Sequence, residues 1–355
     1  MTKHIHGGDI YSHEGCLDFS ANCNPLGTPM SVKAAIVESL SHIEEYPQVG
    51  YEPLKEAIAF YEDVNPSQVI CGNGAAELIY SFCQAARPKK ALIPVPAFAE
   101  YERALRTVDC EVCYYPLKKE NGFVLDEGIL AHIKKSTDVL FLCNPNNPTG
   151  LLTERKLLLK ILEQCRNTDT LLVVDECFLD FVKEPENYTL KNYLKQYQNL
   201  FLLKAFTKRY AMAGVRLGYG FTENAALLEK MDKTVQPWNL SVMAQAAGLA
   251  ALEEKSYVAE GRKLVFSQAK ILKQELEALG FSVYPSTANY LFFEGPRELY
   301  ERSLKKGILI RDCSNYVGLC KGFWRIAVKN PEENQKLLKA FREIMDEINS
   351  GKEDK

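Results

Sequence analysis

No apolar run in this chain reaches the roughly 18 residues expected of a membrane span. The amino-terminal MTKHIHGGDI is too polar for a secretory leader, so a cytoplasmic protein without membrane contact is expected. Positive charge is not in excess: the 355 residues carry a formal net charge of −3. No basic stripe is visible, which argues against nucleic acid as a partner, because phosphate-backbone binding needs one. Metal-ligand spacing is missing as well. The eleven cysteines are scattered singly, and the nearest pair, Cys110 and Cys113 in DCEVCYY, has no second CxxC to complete a tetrahedral set. Reduced, mostly buried thiols and no metal are expected. There is no internal repeat and no low-complexity linker.

What is present has the balance of a globular protein, with 46% hydrophobic and 25% charged residues. The length suits one large domain and a smaller one. From about residue 66, the segments SQVICGN, KALIPV, CEVCYYPL, TDVLFLCN, TLLVVDE and NLFLLKAF each hold a short apolar run closed by polar or turn residues, the pattern of buried strands. Between them GAAELIYSFCQAA and TERKLLLKILEQC repeat apolar residues at helical spacing. Strand and helix alternating in this way predict an α/β fold, a parallel or mixed sheet covered on both faces. After residue 245 the character changes to a long helical stretch near 243–279, three strands (FSVYPSTANYLFFEG, GILIRDCSNY, GFWRIAVK) and a final helix, PEENQKLLKAFREIMDEI. The expected division is a large domain over 46–245 and a small α+β domain from 1–45 and 246–355. The terminal GKEDK is expected to fray.

Sheets of this kind gather ligands at the carboxyl ends of their strands. There the chain places GNGAAE, PAFAEY, NPNNPTG, DECFLDF and KAFTK. GNGAAE follows a strand and opens a helix, which aims backbone N–H groups and the helix dipole at a phosphate. It lacks the further glycine of a dinucleotide fingerprint and the Gly-Lys-Ser/Thr of a P-loop. Asp175 ends an apolar run where a carboxylate needs a cationic or hydrogen-bonded partner, unless it is a surface acid or a helix cap. Lys208 lies past a strand and eight positions before Arg216, which Gly214 and Gly218 bracket; the bland reading is a solvated lysine. A phosphate cradle, a strand-end acid, an asparagine loop and a lysine near an arginine together suit pyridoxal 5'-phosphate. That cofactor has an aldehyde for a lysine, a ring nitrogen for a carboxylate, and a phosphate.

On these motifs, nearly the whole chain resembles the fold-type I pyridoxal-phosphate enzymes of the aspartate aminotransferase superfamily. The resemblance implies a large domain with a mainly parallel seven-stranded sheet sandwiched by helices. It makes Lys208 the lysine bonded to the cofactor aldehyde and Asp175 the partner of the ring nitrogen. Arg216, Thr207 and the turn Gly74, Ala75 and Ala76 would hold the phosphate, Phe98 would stack on the ring, and Asn147 would reach the ring hydroxyl. Tyr46 would extend to the phosphate of a second subunit, implying a homodimer. Arg325 would grip the substrate carboxylate, and Asn289 belongs to the small-domain strand near the site.

Two departures are visible. Ala205 stands where the superfamily often has serine or threonine. Phe178, three after Asp175, replaces the tyrosine usual among histidinol-phosphate aminotransferases. HGGDI, LDFSANCNPLG with Asn24, PAFAEY and LIRDCSNYVGL resemble the threonine-phosphate decarboxylase branch, in which His6, Arg311 and Arg325 would hold a substrate with two anionic ends. Otherwise His6 belongs to a loose terminus and Arg311 to a structural ion pair. The implied activity is decarboxylation of L-threonine O-3-phosphate to aminopropanol phosphate for cobalamin biosynthesis. Histidinol-phosphate transamination is the alternative, and a nucleotide-binding α/β protein without the cofactor is a third. Each reading takes a phosphorylated small molecule.

Overall fold

In the computed structural model residues 6–353 are described. Residues 1–5 and the last two residues of GKEDK lie outside them. The central sheet has seven strands: β1 Val69–Gly72, β2 Lys90–Val95, β3 Glu111–Pro116, β4 Val139–Cys143, β5 Leu171–Asp175, β6 Leu200–Ala205 and β7 Gly218–Phe221. Their order is β1-β7-β6-β5-β4-β2-β3. Only β7 runs against the rest, pairing antiparallel with both β1 and β6. The strands read as continuous apolar runs because both faces are covered. Along β4 and β5, Val139, Phe141, Cys143 and Val173 enter one core, while Leu140, Leu142, Leu172 and Val174 enter the other. Each such fully buried Leu, Val or Phe contributes about 1.5–3 kcal/mol.

The carboxyl-terminal region forms a second sheet from β8 Ser282–Val283, β9 Tyr290–Glu294, β10 Arg311–Asp312 and β11 Phe323–Ala327, in the order β10-β11-β9-β8. FSVYPSTANYLFFEG is therefore a hairpin and not one strand, since Pro285 and Ser286 interrupt it and Val283 pairs with Phe293. GILIRD also splits. Ile308–Leu309 runs parallel to Leu17–Asp18, and Arg311–Asp312 turns to pair with β11. The expected single helix of 243–279 is two, Val242–Leu252 and Tyr257–Ala278, parted at EEKS. The boundary expected after residue 245 falls inside the first of these, which packs against both Met30–Ser39 and Glu52–Glu62. The final helix continues through GKE to Glu353.

Lys204 is not solvated: it is buried on β6, with Nζ 3.1 Å from Glu62 Oε2 and 3.9 Å from Glu176 Oε2. Arg209, buried beside it, bonds Asp180 at 2.7 Å and reaches Glu62 at 3.5 Å. Burial would raise the Glu62 carboxyl, but Lys204, Arg209 and Lys191 outweigh it and hold the group at about 2. Glu176, wholly buried, is pushed up to about 7 by burial against the pull of Lys204.

Candidate active site

At the carboxyl ends of β4, β5 and β6 a cleft of about 340 Å³ opens toward the carboxyl-terminal sheet. Of the residues singled out from the sequence, His6, Ala75, Ala76, Phe98, Asn147, Asp175, Thr207, Lys208, Arg216, Arg311 and Arg325 all line it. Nine sequence segments converge there because strand ends and the second sheet face one another.

The cradle is built from glycines and a helix start. Helix Gly74–Ala86 begins with Ala75 and Ala76 at the cleft, and its N-cap Asn73 makes no side-chain cap bond. First-turn amides are left to an anion. Gly74 has φ +77°, and a Cβ there would lie 2.3 Å from Arg216 Nη2. Arg216 itself adopts φ +60°, a left-handed conformation costing a non-glycine residue about 1–3 kcal/mol. That backbone turns its guanidinium over Gly74. A Cβ on Gly218 would stand 2.3 Å from the Ala75 nitrogen, whereas one on Gly214 would meet nothing within 4 Å. Of the two glycines that bracket Arg216, only Gly218 is required by close approach.

Lys208 sits on a single helical turn, Phe206–Arg209, directly after β6. Its carbonyl accepts from Asn24 N at 3.0 Å, and its Nζ lies 5.9 Å from the Phe178 ring centre. Asp175, at the end of β5, accepts from Tyr101 Oη at 2.5 Å and from Cys177 N at 2.9 Å. Burial, and then the Asp175 charge, push the Tyr101 hydroxyl well up, so it stays a neutral donor. An amide cradle beside an arginine, a buried carboxylate and a lysine fit the phosphate, ring nitrogen and aldehyde of pyridoxal phosphate.

Across the cleft Arg311 and Arg325 are register partners on the antiparallel strands β10 and β11. Both are buried. Like charges opposite one another in a sheet are unfavourable, and among the described residues no carboxylate forms an ion pair with either. Arg325 donates to Asn147 Oδ1 at 2.5 Å and to the Ser20 carbonyl at 2.8 Å; Arg311 donates to Asn315 Oδ1 at 2.8 Å and to its neighbour's carbonyl. Arg325 Nε is buried without a partner among the described residues. His6 Nε2 lies 3.1 Å from Glu100 Oε1, tying the amino-terminal segment to helix Glu100–Arg106. Burial would raise Glu100, but hydrogen bonds from His6, Tyr80 and Arg103 hold it at about 2. Among the described residues Arg311 therefore has no structural ion pair, and His6 is fastened to Glu100.

Four residues lie elsewhere. Gly74 underlies Arg216 without lining the cleft. Asn24 donates from Nδ2 to the Arg209 carbonyl and accepts from Leu26 N, so its side chain is committed to backbone. Asn289 is wholly buried and donates to the Asn22 carbonyl at 3.1 Å. Tyr46 is exposed at the surface, stacked on Trp238 at 4.5 Å. Residues not anticipated also reach the cleft: Ser20, Asn22, Cys143, Cys177 and Tyr316. Asn22 and Asn24 share one motif. Asp18 decides between them, because its Oδ1 accepts from Ser20 N and Ala21 N and turns Asn22 inward. Gly7 explains HGG: a Cβ there would strike the Ser20 carbonyl at 2.3 Å.

The family model described as aminotransferase class I and II matches residues 14–341. Threonine-phosphate decarboxylase of Salmonella typhimurium is 38% identical, over 97% of this chain and 98% of its own. Among solved structures, histidinol-phosphate aminotransferase from Clostridium acetobutylicum superposes with a TM-score of 0.87 at 31% identity, covering 93% of this chain and 99% of that one. L-threonine-O-3-phosphate decarboxylase from Porphyromonas gingivalis gives 0.81 at 28% identity, over 92% and 99%.

Proposed function

We propose, from the premise that the chain belongs to the aminotransferase class I and II family and is a pyridoxal-phosphate enzyme, that it decarboxylates L-threonine O-3-phosphate to (R)-1-amino-2-propanol phosphate. One observation carries the reading: the register-paired Arg311 and Arg325 line the cleft with Lys208, and their hydrogen-bond partners among the described residues are neutral. Two buried guanidiniums side by side suit a substrate with both a carboxylate and a phosphate. A 38% identical relative named for that reaction supports it.

When bound, pyridoxal phosphate supplies an aldehyde that captures the substrate amine and a ring that takes up the electron pair left at Cα. In this reading Arg216, Thr207 and the Gly74–Ala76 turn hold its phosphate, Asp175 keeps the ring nitrogen protonated, Phe98 covers the ring face, and Asn147 touches the ring hydroxyl. Tyr101 and Cys177 N fix the Asp175 carboxylate toward that nitrogen. Arg325 takes the substrate carboxylate and Arg311, with His6, its phosphate. Gripping both ends would fix the orientation of the substrate's carboxylate bond, a positioning effect worth several kcal/mol. Once carbon dioxide is lost, Lys208 Nζ would give a proton to Cα. Phe178 brings no hydroxyl beside Lys208, so the lysine keeps that task to itself.

The same reading makes the enzyme a cytoplasmic homodimer serving cobalamin biosynthesis. Exposed Tyr46 and Trp238, with Met30, Val37 and Ile43 nearby in sequence, offer an apolar face for the second copy. Monomer mass on sedimentation at micromolar concentration would count against the dimer. The deciding assay supplies phosphothreonine, and histidinol phosphate with 2-oxoglutarate, to the purified holoenzyme. Release of carbon dioxide from the first is expected; glutamate from the second, with no carbon dioxide from the first, would overturn the proposal.

A further inference from the structure

We infer that Tyr316 sets the size of substrate this cleft accepts, as the wall that ties the two arginines together and closes off a second cavity. The inference rests on the reading that Arg311 and Arg325 grip the substrate. Tyr316 is buried, and its hydroxyl donates to Asn147 Oδ1 at 3.3 Å and lies 3.5 Å from Arg325 Nη1. Its ring lies under Arg311, whose Cζ is 5.1 Å from the ring centre. One side chain is thus fastened at its tip to the Arg325 end of the site and stacked along its length on the Arg311 end. Its backbone is held in a turn, with its nitrogen bonded to the Cys313 carbonyl and its carbonyl to Leu319 N.

Behind that ring lies a separate cavity of about 200 Å³, reached by Val317 and Tyr114. Phe98 and Tyr316 line both this cavity and the cleft, so they are the partition. Phosphothreonine presents a carboxylate and a phosphate on neighbouring carbons and fits between paired guanidiniums. Histidinol phosphate has an imidazolylmethyl group in place of the carboxylate. That ring needs volume which the partition denies, and it gives Arg325 no anion. Removing the ring of Tyr316 would merge the two spaces and free Arg325 from its tether. Removing only its hydroxyl would leave the partition standing.

The test measures dissociation constants of phosphothreonine and histidinol phosphate on wild-type, Tyr316→Phe and Tyr316→Ala holoenzymes, read from the absorbance change of bound cofactor. Tyr316→Ala is expected to shift the ratio of the two constants toward histidinol phosphate by about a hundredfold, a tenfold loss for one and a tenfold gain for the other. Tyr316→Phe is expected to weaken phosphothreonine binding about threefold, the loss of one long hydrogen bond, without any gain for histidinol phosphate. Tyr316→Leu, which keeps apolar bulk beneath Arg311, gives the same direction with less effect on folding. An unchanged ratio in both Tyr316→Ala and Tyr316→Leu overturns the inference. Wild-type enzyme that binds both ligands but releases no carbon dioxide from phosphothreonine overturns the functional reading instead, and the ratio still decides the role of the wall.

Discussion

Gly218 and Ala75 meet where the antiparallel strand β7 passes the start of helix Gly74–Ala86, at a spacing that leaves no room for a side chain on Gly218. Any Cβ there pushes the Ala75 amide away from the place a phosphate would occupy. Gly218→Ala is therefore expected to weaken pyridoxal-phosphate affinity at least about tenfold, the weight of one or two amide–phosphate bonds. Gly214→Ala, open on all sides, is the control and should bind normally. Fluorescence titration of the apoenzymes distinguishes them, and equal affinities would refute the cradle.

In the proposed function Tyr101, which donates to Asp175, would act on the ring nitrogen through that carboxylate. A hydrogen bond to a charged group contributes about 1.5–3 kcal/mol, so Tyr101→Phe should lower kcat roughly ten- to a hundredfold with little change in KM. Asp175→Ala should cost far more while the circular dichroism stays native. Near-normal turnover in Asp175→Ala would remove Asp175 from the mechanism.

Arg325→Ala is expected to raise KM for phosphothreonine and to lower kcat as well, because that anchor sets the angle of the breaking bond. A change in KM alone would mean that Arg325 binds without orienting.

Lys204 links two glutamates beneath the lysine turn. Breaking a buried pair from one side leaves an uncompensated charge, so Lys204→Met should destabilise the protein by about 3–5 kcal/mol. Urea unfolding measures it, and a loss under 1 kcal/mol would show the pair to be well hydrated.

Acid and neutral pH should act on stability in opposite senses through two groups of this network. Glu62 is lowered from 4.5 to about 2, so the stability it contributes is present above 4.5 and lost as pH falls toward 2. Glu176 is raised from 4.5 to about 7, so the folded state holds its proton longer and stability declines as pH rises across that interval. Glu176→Gln should flatten the decline between pH 4.5 and 7. Urea midpoints across that range check it, and an unaltered slope in the variant would refute the assignment.

Much of this architecture was legible because buried parallel strands are unbroken apolar runs, and LLVVD and VLFLC have no other plausible use. Strand β7 was not legible that way. Its GYGF has two glycines, one of which, Gly220, lies so near the Phe201 ring that a Cβ would stand 2.4 Å away. Such a strand is defined by its neighbours. Lys204 falls within the strand signal and Lys208 beyond it, but it takes Glu62, 142 residues away along the chain, to make the first of them structural. Asn22 and Asn24 differ for a similar reason, through a turn formed by Asp18. Tyr316 lies in LIRDCSNYVGL without any local mark, since its importance comes from Arg311 in that motif and from Asn147 and Phe98 in two other segments. Residues that act by chemistry were readable from type and position; residues that act by partition were not.

Apart from Tyr46 of a second subunit, the groups proposed to hold the cofactor lie between Gly74 and Gly218, while the arginine pair comes from the last fifty residues and Arg325 closes on Ser20 near the start. In that reading the cofactor contacts made within one subunit are all synthesised before Arg311 and Arg325, the groups proposed for the substrate.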